Sequence, residues 1–341
     1  GYSFLTQYFV ALSTILFSIL GLFFVYKLIR LFFKNKIALL TTLFLYLTTQ
    51  MFYYTSIDPM NSHSASFMLS ALFLYLLAIF SDEKKWLSFG KSFSWQKMLI
   101  LGTLGGLISL VRNQDIILLL PVTVYFIFKI DKGFLHPWME RLNRMVLFWG
   151  SVFLVMSIQL FMTLNLYGQL GSPYILGGEK LLWFRPDFIR VLFSFGNGLF
   201  TFAPILVVAV LGLVWVALQI IKKGQMASLS NLKIKNKRLY KHFAIIALAS
   251  FLLQLYVVGS WGREIIGGPY GSRMFISVLP HLSLGLALFF EKYTLKGTGK
   301  NYRRSVLFIA LGLGLLIINN LLQTDDNYKN SIKDITKKTN N

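Results

Sequence analysis

Residues 257–280 read Val-Val-Gly-Ser-Trp-Gly-Arg-Glu-Ile-Ile-Gly-Gly-Pro-Tyr-Gly-Ser-Arg-Met-Phe-Ile-Ser-Val-Leu-Pro, with apolar runs on both sides. Arg263 and Arg273 supply planar, permanently charged forks suited to phosphate. Gly262, Gly267, Gly268 and Gly271 let the backbone take positive φ and approach a ligand closely. Glu264 adds a carboxylate, and Trp261 and Tyr270 are candidate substrate contacts. The chemistry on offer is recognition of an anion. A second reading stands beside it: a tight turn whose arginines meet lipid headgroups.

Three other polar clusters interrupt apolar sequence. Asp58-Pro59-Met60-Asn61-Ser62-His63 ends one run and opens the next. Asp58 and Asn61 suit helix capping, with Pro59 in the first turn, and His63 lies within a turn of them. Two candidate ligands, Asp58 and His63, fall short of a metal site, so no metal is expected. Arg112-Asn113-Gln114-Asp115 separates two short runs. Its charges can pair with each other at i, i+3. Alternatively Arg112 faces an anionic headgroup, because an ionisable pair at such a break marks function by default, and Asp115 is then a substrate contact. The long stretch Gly168–Pro204 carries Glu179, Lys180, Arg185 and Asp187 among aromatics. Trp183, Phe184 and Phe188 fit an interfacial aromatic belt or a cover over a lipid-linked substrate, with Glu179 touching it. His281 reads as a satisfied histidine inside a helix bundle, and Gln159 and Gln254 as interhelical hydrogen-bonding groups.

These clusters need a frame, and composition supplies it. The chain has 341 residues, 55% of them hydrophobic and only 14% charged, which describes a polytopic membrane protein. It has no cysteine, so thiolate metal sites and disulfides are excluded. The net charge of +21 would suggest nucleic acid in a soluble protein. Here the basic residues sit in short segments between apolar runs, so they report topology and nucleic acid is rejected. Runs at 8–31, 37–55, 64–80, 98–111, 116–130, 145–167, 205–221, 243–259, 274–290 and 306–322 account for ten segments of an all-α bundle expected to have about eleven membrane segments. The two at 98–111 and 116–130 are short and read as thin spans or a re-entrant pair.

Most of the 34 basic residues fall in alternate connectors, as in Lys84–Lys85, Lys222–Lys241 and Lys292–Arg304, and that side reads as cytoplasmic. Asp58–His63, Arg112–Asp115, Gly168–Pro204 and 257–280 then share the outer face. Residues 1–322 form the membrane domain and 323–341 a polar tail that reads as disordered. The chain opens at Gly1 partway into an apolar run, which reads as an N-terminal truncation.

The pattern resembles bacterial polytopic glycosyltransferases related to protein O-mannosyltransferases, glycosyltransferase family 39 in the broad sense, with the glycosyltransferase-C fold. Four places carry the likeness: Tyr53-Tyr54-Thr55 through Pro59 and His63-Ser64, Gly105-Gly106-Leu107 through Arg112, Phe193-Ser194 through Asn197-Gly198-Leu199-Phe200 and Pro204, and Trp261-Gly262, Gly267-Gly268, Gly271 and Arg273. The resemblance implies a polyprenyl-phosphate sugar donor and inverting transfer to an acceptor hydroxyl on the outer side. The leaving phosphate needs positive charge, for which Arg112, Arg263 and Arg273 are candidates. The acceptor oxygen needs a carboxylate base. Relatives carry that base in a loop between the first two spans, which would precede Gly1. Within the sequence in hand Asp58, Asp115 and Glu264 are the carboxylates that could substitute for it, with Asp58 and Glu264 the candidates for the catalytic role.

The expected protein is therefore a multi-pass glycosyltransferase of the cytoplasmic (inner) membrane with its site loops on the outer, periplasmic face. Its partners are a polyprenyl-phosphate-linked sugar, a lipid, glycan or protein acceptor, and membrane lipids. No cofactor is expected. The alternatives are a flippase or transporter of lipid-linked glycans, and an O-antigen ligase or polymerase with a lipid-diphosphate donor.

Overall fold

In the computed structural model residues 3–81, 94–129, 137–221, 232–261, 270–294, 312 and 314–324 are described. Ser3 starts the first helix: its hydroxyl accepts the Thr6 N–H at 3.4 Å, and α1 runs unbroken over Phe4–Phe32. The expected second span is split into α2 (Asn35–Leu47) and α3 (Met51–Ser56). The cause is local. Thr48 and Thr49 turn their hydroxyls back onto the Phe44 and Leu45 carbonyls, each at 2.6 Å, and such back-bonding competes with the helix ladder. Freed carbonyls in a membrane must find internal partners. Asn320, on the helical segment 314–324, meets this need by donating to the Leu47 and Thr49 oxygens at 2.8 and 3.3 Å.

The chain continues with α4 (His63–Ser81), α5 (Trp95–Val111), a 3-10 turn (Asn113–Leu118), α6 (Leu119–Lys129) and α7 (Pro137–Tyr167). Three short helices follow: α8 (Pro173–Leu176), α9 (Phe188–Phe193) and α10 (Leu199–Phe202). Then come α11 (Ile205–Ile221), α12 (Lys237–Ser260), a second 3-10 turn (Arg273–Val278) and α13 (Leu279–Thr294). Among the described residues the β-structure is one isolated antiparallel bridge, Leu181 with Trp261. The all-α membrane bundle is thus borne out. Among the described residues five helical stretches are long and apolar enough to cross a membrane: Phe4–Phe32, His63–Ser81, Arg141–Tyr167, Lys237–Ser260 and Arg273–Tyr293. Four shorter apolar helices accompany them. The run read as the last span is described only at 312 and from 314 onward, and the basic connectors 82–93, 222–231 and 295–304 and the tail from 325 lie outside the described residues.

Packing follows the rule for helices in lipid, where small residues let backbones approach because no hydrophobic drive distinguishes helix from solvent. α5 lies along α7, α1 along α4, and α11 along α13. A β-carbon at Gly106 would sit 2.6 Å from Val155 Cβ, so α5 and α7 are closer there than any larger residue permits. α12 touches α6, α11 and α13 and lies within the bundle. Its N-terminus is capped by Asn236, which accepts the Leu239 N–H at 3.1 Å. Its other end, with the starts of α4 and of the second 3-10 turn and the end of α5, forms one polar pole of the bundle.

Candidate functional site

The pole is assembled from helix ends. Asn61 Oδ1 accepts the His63 N–H at 2.9 Å and starts α4, while its amide donates to the Tyr54 carbonyl at 3.0 Å and to the Asp58 carbonyl. Capping therefore falls to Asn61, as its residue type suggests. α5 ends where Arg112 turns extended, at φ −148° and ψ 108°. Gln50 and Tyr54 on the α2–α3 break then hold the loop that carries Arg273. Gln50 Nε2 donates to the Ser272 carbonyl at 3.2 Å, and the Tyr54 hydroxyl to the Tyr270 carbonyl at 3.0 Å. Gly271 makes the turn between them at φ +57°, a conformation costly for a residue with a β-carbon.

These ends enclose a polar cavity of about 290 Å³. Its lining includes His63, Arg112, Glu179, Trp261 and Arg273, which the sequence marks as site residues, and Asn61, Asn113 and Gln114, to which it assigns no site role. The Arg112 guanidinium reaches His63 Nδ1 at 2.7 Å and the Arg273 carbonyl at 3.4 Å. A guanidinium only donates, so Nδ1 of His63 accepts and its proton resides on Nε2. The cavity thus presents two cationic forks and an imidazole, an arrangement that favours a phosphoryl group.

The long mixed stretch closes the far wall. The Leu182 and Asp187 N–H groups donate to the Ser260 and Gly259 carbonyls at 2.6 and 2.9 Å, the carbonyls left over at the end of α12. The Tyr256 hydroxyl donates to the Trp183 carbonyl at 2.8 Å. Trp261 Nε1 donates to Glu179 Oε2, also at 2.8 Å, so an indole and a carboxylate face the cavity as one unit. Phe184 and Phe195 on the same stretch are 99% and 95% exposed, as side chains directed to a bilayer interface would be.

Other candidates sit elsewhere. Asp115 is fully buried and does not line the cavity; Ser66, Ser277 and Gln254 donate to it. Gln254 is thereby the interhelical group expected. Tyr270 is buried as well. Its ring stacks on Tyr53 with centroids 4.5 Å apart, and its hydroxyl donates to Asn320. Burial pushes that phenol from its ordinary 10.0 up to about 12. Asp58 is half-buried and outside the cavity lining. Arg263 and Glu264 lie outside the described residues. His281 is buried in α13, and its Nδ1 has no hydrogen-bond partner among the described residues.

Asn61 hid behind its capping role. Ser66, Gln254 and Ser277 carried one usable signal, polar residues within a turn or two of His63, Trp261 and Arg273 on helices otherwise apolar.

Residues 5–158 match the family model described as dolichyl-phosphate-mannose-protein mannosyltransferase. No curated protein and no solved structure matches the chain. The matched stretch contains His63 and Arg112 and ends before Glu179, Trp261 and Arg273. The family match and the apolar helical bundle support the mannosyltransferase-like group of membrane glycosyltransferases as the one this chain resembles.

Proposed function

We propose that the chain transfers a sugar from a polyprenyl-phosphate donor to an acceptor hydroxyl at the outer face of the cytoplasmic membrane, with inversion at the anomeric carbon. The observation that carries this reading is the convergence of Arg112, Arg273 and His63 on one polar cavity at the ends of apolar helices. A polyprenyl tail belongs in the bilayer, so its phosphate must meet protein at such a helix end. The distribution of basic residues supports an outward orientation for this end.

The acceptor oxygen attacks the anomeric carbon opposite the phosphate and forms the new C–O bond. The bond from that carbon to the phosphate oxygen breaks, and its electron pair leaves with the phosphate. Arg112 and Arg273 stabilise the charge that develops there. His63 Nε2–H is a further donor beside them. The acceptor's proton passes to a carboxylate base. Glu179 is the carboxylate on the cavity wall among the described residues, which ranks it ahead of Asp58 for this task.

The test is transfer of radiolabelled mannose from polyprenyl-phosphate mannose to endogenous acceptor by membranes carrying the chain. Arg273→Ala is expected to cut turnover by about 10²–10³, as loss of a donor to a developing oxyanion does. Unchanged turnover in a folded variant overturns the reading.

A further inference from the structure

Beneath the cavity lies a carboxylate that does not enter it. Arg112, Asn113 and Gln114 line the cavity, whereas Asp115 is 0% exposed. Its Oδ2 accepts the Ser66 hydroxyl at 2.5 Å. Its Oδ1 accepts the Ser277 hydroxyl at 2.9 Å and Gln254 Nε2 at 3.3 Å. Gln254 Nε2 also donates to the Met274 carbonyl at 2.9 Å. The Asp115 N–H in turn donates to the Arg112 carbonyl at 2.9 Å.

Each donor stands close along the chain to a cavity residue. Ser66 lies one turn into α4 from His63, and Ser277 lies within the 3-10 turn that Arg273 opens. Gln254 precedes Trp261 by two turns of α12. One side chain therefore ties together the four elements that supply His63, Arg112, Arg273 and Trp261. An ionised carboxylate only accepts, and all three side-chain partners donate, so the set is chemically matched. In lipid no hydrophobic force sets the register of one helix against another. A buried polar group that must be satisfied internally does set it.

We propose that Asp115 is a positioning residue that holds His63, Arg112 and Arg273 in the register at which they meet one phosphate, without itself touching the substrate. The proposal rests on the reading of the cavity as a prenyl-phosphate site. It separates Asp115 from the substrate-contacting role that its place beside Arg112 suggests.

The experiment measures the Kd of geranyl phosphate for the purified full chain in lipid nanodiscs, with thermal unfolding in parallel. Asp115→Leu removes every acceptor and is expected to weaken binding about tenfold or more, since small misplacements at a site carry large penalties. Asp115→Asn keeps an oxygen for Ser277 and Gln254, and the Ser66 hydroxyl can turn to accept from the amide, so binding returns most of the way to the parent value. The double variant Ser66→Ala, Ser277→Ala leaves the carboxylate in place, removes two of its donors and is expected to weaken binding several-fold. It also keeps the test informative if Asp115→Leu does not fold.

A lowered unfolding temperature with parental Kd in the double variant overturns the proposal, because Asp115 then serves stability alone. Equal loss in Asp115→Asn and Asp115→Leu also overturns it, because charge and not position would matter. Arg273→Ala run beside them tells the two levels apart. If it binds like the parent, the phosphate reading falls and the proposal with it. If it loses binding while the Asp115 variants do not, the proposal falls alone.

Discussion

Arg112 Nη1 lies 2.7 Å from His63 Nδ1, which makes the histidine an acceptor towards the arginine and a donor, through Nε2–H, towards anything else. The pair joins the end of α5 to the start of α4. It also fixes what His63 can do: with Nδ1 engaged and Nε2 protonated, it is suited to donate to phosphate, not to take a proton from an acceptor.

Substitutions at His63 are therefore expected to rank by the atom they preserve. Asparagine puts an oxygen near the place of Nδ1 and keeps the bond to Arg112, while alanine and glutamine do not. A hydrogen bond to a charged group contributes about 1.5–3 kcal/mol. His63→Ala is accordingly expected to lower transfer about tenfold or more, with His63→Asn retaining the larger activity. Initial rates of transfer on matched amounts of folded variant check the order.

Glu179 and Trp261 give a second ranking. Glu179→Gln keeps a carbonyl oxygen for the Trp261 N–H, seen at 2.8 Å, but cannot take a proton. If Glu179 is the base, this substitution lowers turnover by about 10²–10⁴ and leaves donor binding unchanged. If Glu179 only anchors the indole, Trp261→Phe impairs activity as much as Glu179→Ala, and Glu179→Gln stays near the parent. Turnover and donor affinity measured on the three variants separate the roles.

Tyr270 gives a pH prediction with a definite sign. Burial raises its pKa from 10.0 to about 12, so the folded state holds the phenolic proton more tightly than the unfolded chain does. The stability linked to this group is fully present below pH 10.0 and is lost as pH rises towards about 12. Thermal unfolding of the parent and of Tyr270→Phe across that window is expected to converge as pH rises. Below it, Tyr270→Phe is expected to be less stable by about 0.5–1.5 kcal/mol, the usual worth of one hydrogen bond.

The α5–α7 contact offers a test of the bundle itself. Gly106→Val would force a side chain against Val155 and the Val152 carbonyl. Overpacking of this kind costs about 1–3 kcal/mol. A lower unfolding temperature is expected. Gly150 lies on α7 with open space around it, so Gly150→Ala is expected to hold or slightly raise the unfolding temperature, because alanine favours the helix over glycine.

The sequence by itself determined the class of the molecule. Length and apolarity of runs such as 4–32 and 237–260 report whether a segment suits lipid, and this is a local property. It also marked His63, Arg112, Glu179, Trp261 and Arg273, because polar residues at the ends of apolar runs are conspicuous. The break at Thr48–Gln50 escaped it, since three polar side chains within an apolar run look alike whether they bond their own backbone or a neighbour. Only the tertiary structure decided that Arg112 and Asp115, a turn apart, part company, one lining the cavity and one buried beneath it. That separation depends on where Ser66, Gln254 and Ser277 bring their donors. Those residues are far apart in the chain, and adjacency of this kind is a property of packed helices that no local pattern encodes.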